Sequence, residues 1–354
     1  MGAIVAGCCN RRHVLAAGAA MGMSALLPTR GVAQPGQAGG RRIDVHHHFT
    51  PPAYIREEQK RRTLTHGATS IDKLASWAPE RSLEVMDQNG IERAIGSISM
   101  PGVWHGNVAA ARILSRLWNE AAAAAVAEYP ARFGFFAVVA PPDPDGALAE
   151  IAYALDTLKA DGIALVTNYD GKLLGDPTFA PVLEELNRRR AIVYVHPTVA
   201  PCCASLIPNL IPQIVEFPAE TMRTITSLLM SGALARLQSI RWIFSHGGGT
   251  LPFLAARLGE IARFNPAVAE RHPQGIEGQL KLVYCDTASA YSRPQLAAMT
   301  AFFDPTHILF GSDFPFVPAA EVVEGLAHYD MPDSLRRAID RDNAIRLWPS
   351  LRDA

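Results

Sequence analysis

The stretch RRIDVHHHFTPP, Arg41 to Pro52, sets three consecutive histidines behind a short apolar run. Read as a strand from Ile43 to His48, it turns alternate side chains to opposite faces, so His46 and His48 point together and His47 points away. Two imidazoles on one face are half of a metal site, and their partners must come from distant parts of the chain. Later apolar runs carry donors of the same kind: His196 in VYVHP, His246 in WIFSH and Asp313 in HILFGSD. Nitrogen and oxygen donors of this sort suit zinc, and also manganese or iron. Taken singly each has a plainer reading: a strand-end histidine is ordinarily structural, and an aspartate in GSDFP can cap a turn. The metal reading therefore requires a fold that brings all five to one place.

The elements that would do so recur along the chain. Runs that read as buried strands occupy 43–48, 94–99, 133–140, 162–167, 191–197, 240–246, 282–288 and 307–313. Amphipathic stretches separate them, among them Ala109–Glu128, Ala147–Lys159, Pro177–Arg190, Thr221–Leu237 and Leu251–Phe264. Continuously apolar strands alternating with helices predict a parallel sheet covered on both faces. Eight such units predict an α/β fold of the (β/α)8 TIM-barrel type, in which chemistry sits at the C-terminal ends of the strands. The five donors all lie at such ends. The segment Phe49–Pro79 is long for a connection and reads as an insertion after the first strand. The first strand is not followed by GxGxxG, which argues against a dinucleotide-binding sheet.

Composition is consistent with one barrel domain over 41–350. With 49% hydrophobic residues, 19% charged residues and a net charge of −1, the chain has a soluble globular profile and no electrostatic footprint for nucleic acid. Of five cysteines, Cys8 and Cys9 precede the domain; Cys202, Cys203 and Cys285 make neither a disulfide framework nor a CxxC zinc pattern. Residues 1–40 read as an export signal and flexible leader. Arg11 and Arg12 precede an apolar run from Val14 to Leu27, and Gly31-Val32-Ala33 offers a cleavage site, the layout of a twin-arginine signal to the periplasm. That run is too short for an ordinary membrane span, so no span is expected in the mature form.

The motifs DVHHHF, VYVHP, FSHGGGTLPF and FGSDFPF resemble those of the amidohydrolase superfamily across residues 41–348. RIDVHHHFTPP, TNYDGKLLGDP and EFPAET are similar to the decarboxylase branch, aminocarboxymuconate-semialdehyde decarboxylases and more closely 6-methylsalicylate decarboxylase-like proteins. The resemblance implies metal ligation by His46, His48, His196 and Asp313, with His246 and Asp313 as the catalytic pair. It implies one divalent ion, zinc first and manganese second, because GIALVTNYDG lacks the lysine that bridges two metals in other members and Lys172 falls too late. No organic cofactor is expected. His47, outside the ligand pattern, is expected to pack behind the strand. Asp44 is expected to orient the ligands.

For substrate binding the resemblance points to Arg257, eleven residues after His246, which in muconate-type relatives reaches a neighbouring subunit's substrate; a homodimer is the implied partner. A second carboxylate-binding arginine of those relatives has no counterpart in HGATSIDKLASW, so a small aromatic acid with one carboxylate is expected. Phe49 and Trp77 are the named aromatic contacts, with Tyr54, Trp104, Tyr169 and Phe316 also near strand-end loops. The expected reaction is metal-dependent, nonoxidative decarboxylation of a salicylate-like acid. The alternatives are hydrolysis of a lactone, ester or amide by the same centre, and a non-catalytic periplasmic binding protein. The three glycines after His246 either admit a ligand close to the backbone or turn the chain into the next helix.

Overall fold

The computed structural model describes residues 41–61, 77–273 and 275–352. The expected export leader lies outside them. Eight strands, β1 (Arg42–His48), β2 (Ile91–Ser97), β3 (Phe133–Val138), β4 (Gly162–Val166), β5 (Ile192–His196), β6 (Arg241–Phe244), β7 (Tyr284–Asp286) and β8 (Ile308–Leu309), pair in chain order. Every pairing among them is parallel. The first and last strands meet: Val45 N donates to Phe310 O at 3.0 Å, Asp313 N to His46 O at 2.8 Å and His48 N to Phe314 O at 2.8 Å. The sheet is therefore a (β/α)8 barrel, as the eight apolar runs predict.

These runs are apolar throughout because both faces of each strand are covered, inward by the barrel filling and outward by helices. All residues of β3, β4 and β5 are buried. Helix α1 (Pro52–Arg61) begins the insertion after β1, and α2 (Pro79–Gln88) leads into β2. Helix α3 (Val108–Glu128) starts at Asn107, whose side chain accepts from Ala110 N at 2.9 Å. That contact satisfies an amide the helix itself leaves open. Its inner face, Ala110, Ala111, Leu114, Trp118, Ala122 and Ala125, recurs at three to four residues and is buried. Among the described residues no helix is long and apolar enough to cross a membrane.

Three departures from the sequence pattern bear on the site. Helix α4 spans Pro144–Ala152 and passes into a wide turn at Tyr153–Thr157 rather than running evenly to Lys159. Helix α5 (Ala180–Arg188) leads into β5, and α6 begins at Gln213, ahead of Thr221, and carries Pro218 inside it to Met230. The cost of that proline is opposed by side-chain bonds that hold the first turns: Arg223 reaches Glu216 at 3.1 Å and Glu220 at 2.6 Å, and Glu220 accepts from Asn168 at 2.7 Å. After β4 the chain forms a hairpin, Asn168–Tyr169 against Lys172–Leu173, about an Asp170-Gly171 turn in which both residues have positive φ.

Candidate metal centre

His46 and His48 close β1, His196 closes β5, His246 follows β6, and Asp313 follows β8. The barrel brings all five together. One donor atom each from His46, His196, His246 and Asp313 lie within 4.8 Å of one another. His48 belongs to the same cluster, its Nε2 being 3.1 Å from His46 Nε2 and 3.2 Å from Asp313 Oδ1. His46 Nε2 is 3.3 Å from Asp313 Oδ1, and His246 Nε2 is 3.4 Å from Asp313 Oδ2.

The outward-facing nitrogens give this cluster its chemistry. His46 Nδ1 lies 3.0 Å from Asp286 Oδ2, His48 Nδ1 3.3 Å from Ser97 O and His196 Nδ1 2.8 Å from Pro197 O. Each of these partners accepts, so each Nδ1 is the donor and each Nε2 is left with its lone pair facing the centre. Three inward lone pairs and a carboxylate, packed this closely, repel one another unless a proton or a cation lies among them. The donor set fits a divalent metal ion.

The charge of the cluster's own side chains follows from the same geometry. Burial would depress the His46 pKa, but Asp286 and Asp313 outweigh it and raise it to about 10. Burial lowers that of His48, with only partial opposition from Asp313. Burial, followed by the neighbouring His48, His246 and His46, holds His196 well below the usual histidine range and keeps it neutral. Burial would raise the Asp313 pKa, yet the surrounding imidazoles hold it well below the usual carboxylate range. Asp313 is the fixed anion of the group.

The chain adopts left-handed backbone at three residues bordering the cluster: His246 (φ 54°), Ser289 (φ 51°) and Asp313 (φ 62°). Such conformations are uncommon outside glycine and cluster at functional sites. Ser289 Oγ donates to Asp313 Oδ2 at 3.2 Å, so one strained residue orients another. The glycines after His246 serve the turn into α7 (Leu251–Gly259) and close packing. A Cβ on Gly249, whose φ is 64°, would stand 2.5 Å from Pro218 O.

The remaining predicted residues divide. His47 is fully buried behind β1, with Nδ1 3.1 Å from Asp44 Oδ2, Nε2 2.9 Å from Ser82 Oγ and its ring stacked on Phe314. Asp44 holds His47, the His46 amide and Ser312 rather than a ligand ring, because the β1–β2 register shifts between Asp44 and His47 and breaks strict alternation. Phe49 and Trp77, expected at the substrate, are placed in the core instead. Phe49 is fully buried against Trp77 (5.0 Å between ring centroids) and Phe133 (5.2 Å), and it neighbours His47 rather than His46 and His48. Arg257 is exposed on α7 and makes no hydrogen bond to the cluster. Lys172 is exposed on the hairpin.

His47→Ala is accordingly expected to leave the metal content unchanged while lowering stability by about 1–3 kcal/mol, since Asp44 and Ser82 lose a buried partner. Metal analysis beside denaturant unfolding checks this; loss of metal would place His47 among the ligands.

Sequence reading missed four residues here. Asp286 and Tyr194 lie behind His46, with Tyr194 OH 3.2 Å from Asp286 Oδ2. Ser289 bonds Asp313. Phe217, on α6, is half-buried and stands 5.6 Å from the His196 ring and 6.1 Å from the His246 ring, centroid to centroid. Asp286 was within reach, because LVYCDTA ends the seventh apolar run with a carboxylate just as the eighth does.

A family model described as Amidohydrolase matches residues 43–350. Decarboxylase yanB of Aspergillus niger is 38% identical over 328 residues, 87% of this chain and 87% of its own length. 6-methylsalicylic acid decarboxylase acuB of Aspergillus aculeatus is 38% identical over 327 residues, covering 88% of this chain and 97% of its own. The crystal structure of 5-carboxyvanillate decarboxylase from Novosphingobium aromaticivorans DSM 12444, complexed with manganese and 4-hydroxy-3-methoxy-5-nitrobenzoic acid, superposes with a TM-score of 0.76 at 22% identity. It covers 88% of this chain and 96% of that one, which is a likeness of fold. With the barrel, the five converging donors and a family match over nearly the whole domain, the chain belongs to the amidohydrolase family.

Proposed function

We propose that this protein is a metal-dependent, nonoxidative decarboxylase of a small salicylate-like aromatic acid. The observation that carries the proposal is the set of inward Nε2 lone pairs on His46, His48 and His196 beside Asp313. Similarity to decarboxylases over most of the chain, including one of 6-methylsalicylic acid, supports the reaction type. His46, His48, His196 and Asp313 hold one divalent ion. Zinc suits these donors, and manganese is the second choice. When bound, the ion supplies positive charge that binds substrate oxygens and stabilises negative charge developing on them.

His246 is assigned to the proton rather than to the metal, although its position alone would admit either role. It is half-buried where His48 and His196 are fully enclosed, and its Nδ1 faces the mobile hydroxyl of Ser245 at 3.2 Å instead of a fixed carbonyl. Loss of CO₂ from an arene requires a proton on the ring carbon that bears the carboxylate. His246 Nε2 delivers that proton, and Asp313 Oδ2 holds the imidazolium in place. The carbon–carbon bond electrons then return to the ring as CO₂ departs, restoring aromaticity. Phe217 and the half-buried Phe316, 5.3 Å from the His48 ring, offer apolar walls for a flat substrate and take the place expected of Phe49 and Trp77.

The proposal predicts that the metal-loaded protein converts ortho-hydroxybenzoates to phenols lighter by one CO₂, whereas meta and para isomers survive. Mass analysis of products over that panel, with lactones included, tests it; acid formation from a lactone without CO₂ release would support the hydrolase instead. We also propose a homodimer, supported by exposed Arg257 lying between the strongly exposed Phe253 and Phe264, and sedimentation checks it. Arg11 and Arg12 support export of the folded, metal-loaded protein to the periplasm, which cell fractionation after lysine replacement of both would test.

A further inference from the structure

One buried carboxylate touches two parts of the centre that do different work. Asp286 is fully buried at the end of β7. Its Oδ2 accepts from the His46 ring at 3.0 Å and from Tyr194 OH at 3.2 Å. Its Oδ1 accepts from the backbone amide of His246 at 3.0 Å and from that of Ala288 at 3.0 Å. The first oxygen fixes the tautomer and direction of a metal-binding imidazole. The second holds the amide of the residue that moves the proton, at a left-handed backbone position that favours other conformations.

The fold makes room for this contact. A Cβ on Gly311 would stand 2.7 Å from His46 Cβ and 3.0 Å from Asp286 Cβ. Only a glycine at the end of β8 lets the aspartate and the histidine approach without displacement. Tyr194 fills the other side, its ring 5.4 Å from that of His46. A fully buried carboxylate with four donors is a costly arrangement, and it is satisfied by these groups alone among the described contacts.

We propose that Asp286 is a positioning residue that couples metal retention at His46 to placement of the proton donor His246. The proposal rests on the metal-dependent decarboxylase reading. It makes a chemical prediction for Asp286→Asn, which keeps the shape of the side chain. The amide oxygen can still accept from the His246 and Ala288 backbone. The amide nitrogen then faces His46 Nδ1 and donates to it, which puts the imidazole proton on Nε2, where the metal must bind.

The experiment is a titration of chelator-stripped protein with Mn²⁺, free ion being read by electron paramagnetic resonance, followed by kinetics at saturating Mn²⁺. Asp286→Asn is expected to raise the Kd for Mn²⁺ about 10–100-fold and, once loaded, to lower kcat more than it changes KM. Tyr194→Phe removes one donor while keeping the carboxylate, and a smaller, several-fold rise in Kd is expected. It serves as the test if the asparagine variant fails to fold. A wild-type Kd in folded Asp286→Asn, or in Tyr194→Phe should the first not fold, overturns the coupling. A wild-type protein that binds no Mn²⁺ overturns both the coupling and the metal reading. Weakened Mn²⁺ binding in the variant, with no CO₂ released by the wild type from any hydroxybenzoate, would leave the positioning role standing and remove the decarboxylase.

Discussion

Replacing Asp313 by asparagine is expected to abolish turnover and empty the centre of metal together. Its carboxylate meets His46, His48 and His246 and accepts from Ser289, so the substitution removes the negative charge on the inward side of those imidazoles. The surrounding imidazoles hold the pKa of that carboxylate well below its usual range despite burial, so its charge belongs to the centre. Asparagine offers one neutral oxygen and an amide that repels both cation and imidazolium. Activity should fall at least about 10³-fold, the scale set by losing general acid–base help alone. Metal analysis of the dialysed variant checks the other half. Near-normal turnover, or full metal content with full loss of turnover, would remove Asp313 from the ligand set.

Substitution of His246 by asparagine should separate the two properties. With His46, His48, His196 and Asp313 intact, metal content is expected to remain at the wild-type level while kcat falls about 10²–10⁴-fold. Geometry makes this the sharper experiment. His246 lies within the same 4.8 Å group as His46, His196 and Asp313, so proximity alone does not distinguish a ligand from a proton carrier. The distinction rests on surroundings: His48 and His196 are enclosed and braced by backbone carbonyls, whereas His246 is braced by a hydroxyl. If His246→Asn loses metal while His48→Asn keeps it, the two histidines exchange roles.

The barrel and four of its site-bearing strand ends were legible because one rule governs both. A strand buried on two faces must be apolar along its length, so a polar residue at its C-terminal end stands out, as His196, His246 and Asp313 do. Asp286 obeys the same rule and closes its strand, but Thr287 and Ala288 carry the run LVYCDTA on past it, which makes this end less plain than the others. Phe217 was hidden by Pro218, which suggests that no helix can start before Thr221. Bonds among Glu216, Glu220, Arg223 and Asn168, distant in sequence, hold the turn that carries it. Phe49 was misplaced because its position in the chain, next to His48, says nothing of which side of β1 its ring takes. The packing of Phe49 with Trp77 and Phe133 decides that. Asp44 supports His46 through its backbone amide rather than its ring, a detail set by a shift of register in β1 that has no marker in the alternation that located His46 and His48.

The central claim is that a metal ion held by His46, His48, His196 and Asp313 enables the loss of CO₂ from a salicylate-like acid. Its most direct test is to incubate 6-methylsalicylate carrying a ¹³C-labelled carboxyl group with metal-loaded and chelator-stripped protein and to measure labelled CO₂. Release by the loaded protein, absent from the stripped one and restored by adding the ion back, is the predicted result. Equal release from both preparations would contradict the account, as would no release from the loaded protein with this acid and with the other ortho-hydroxybenzoates.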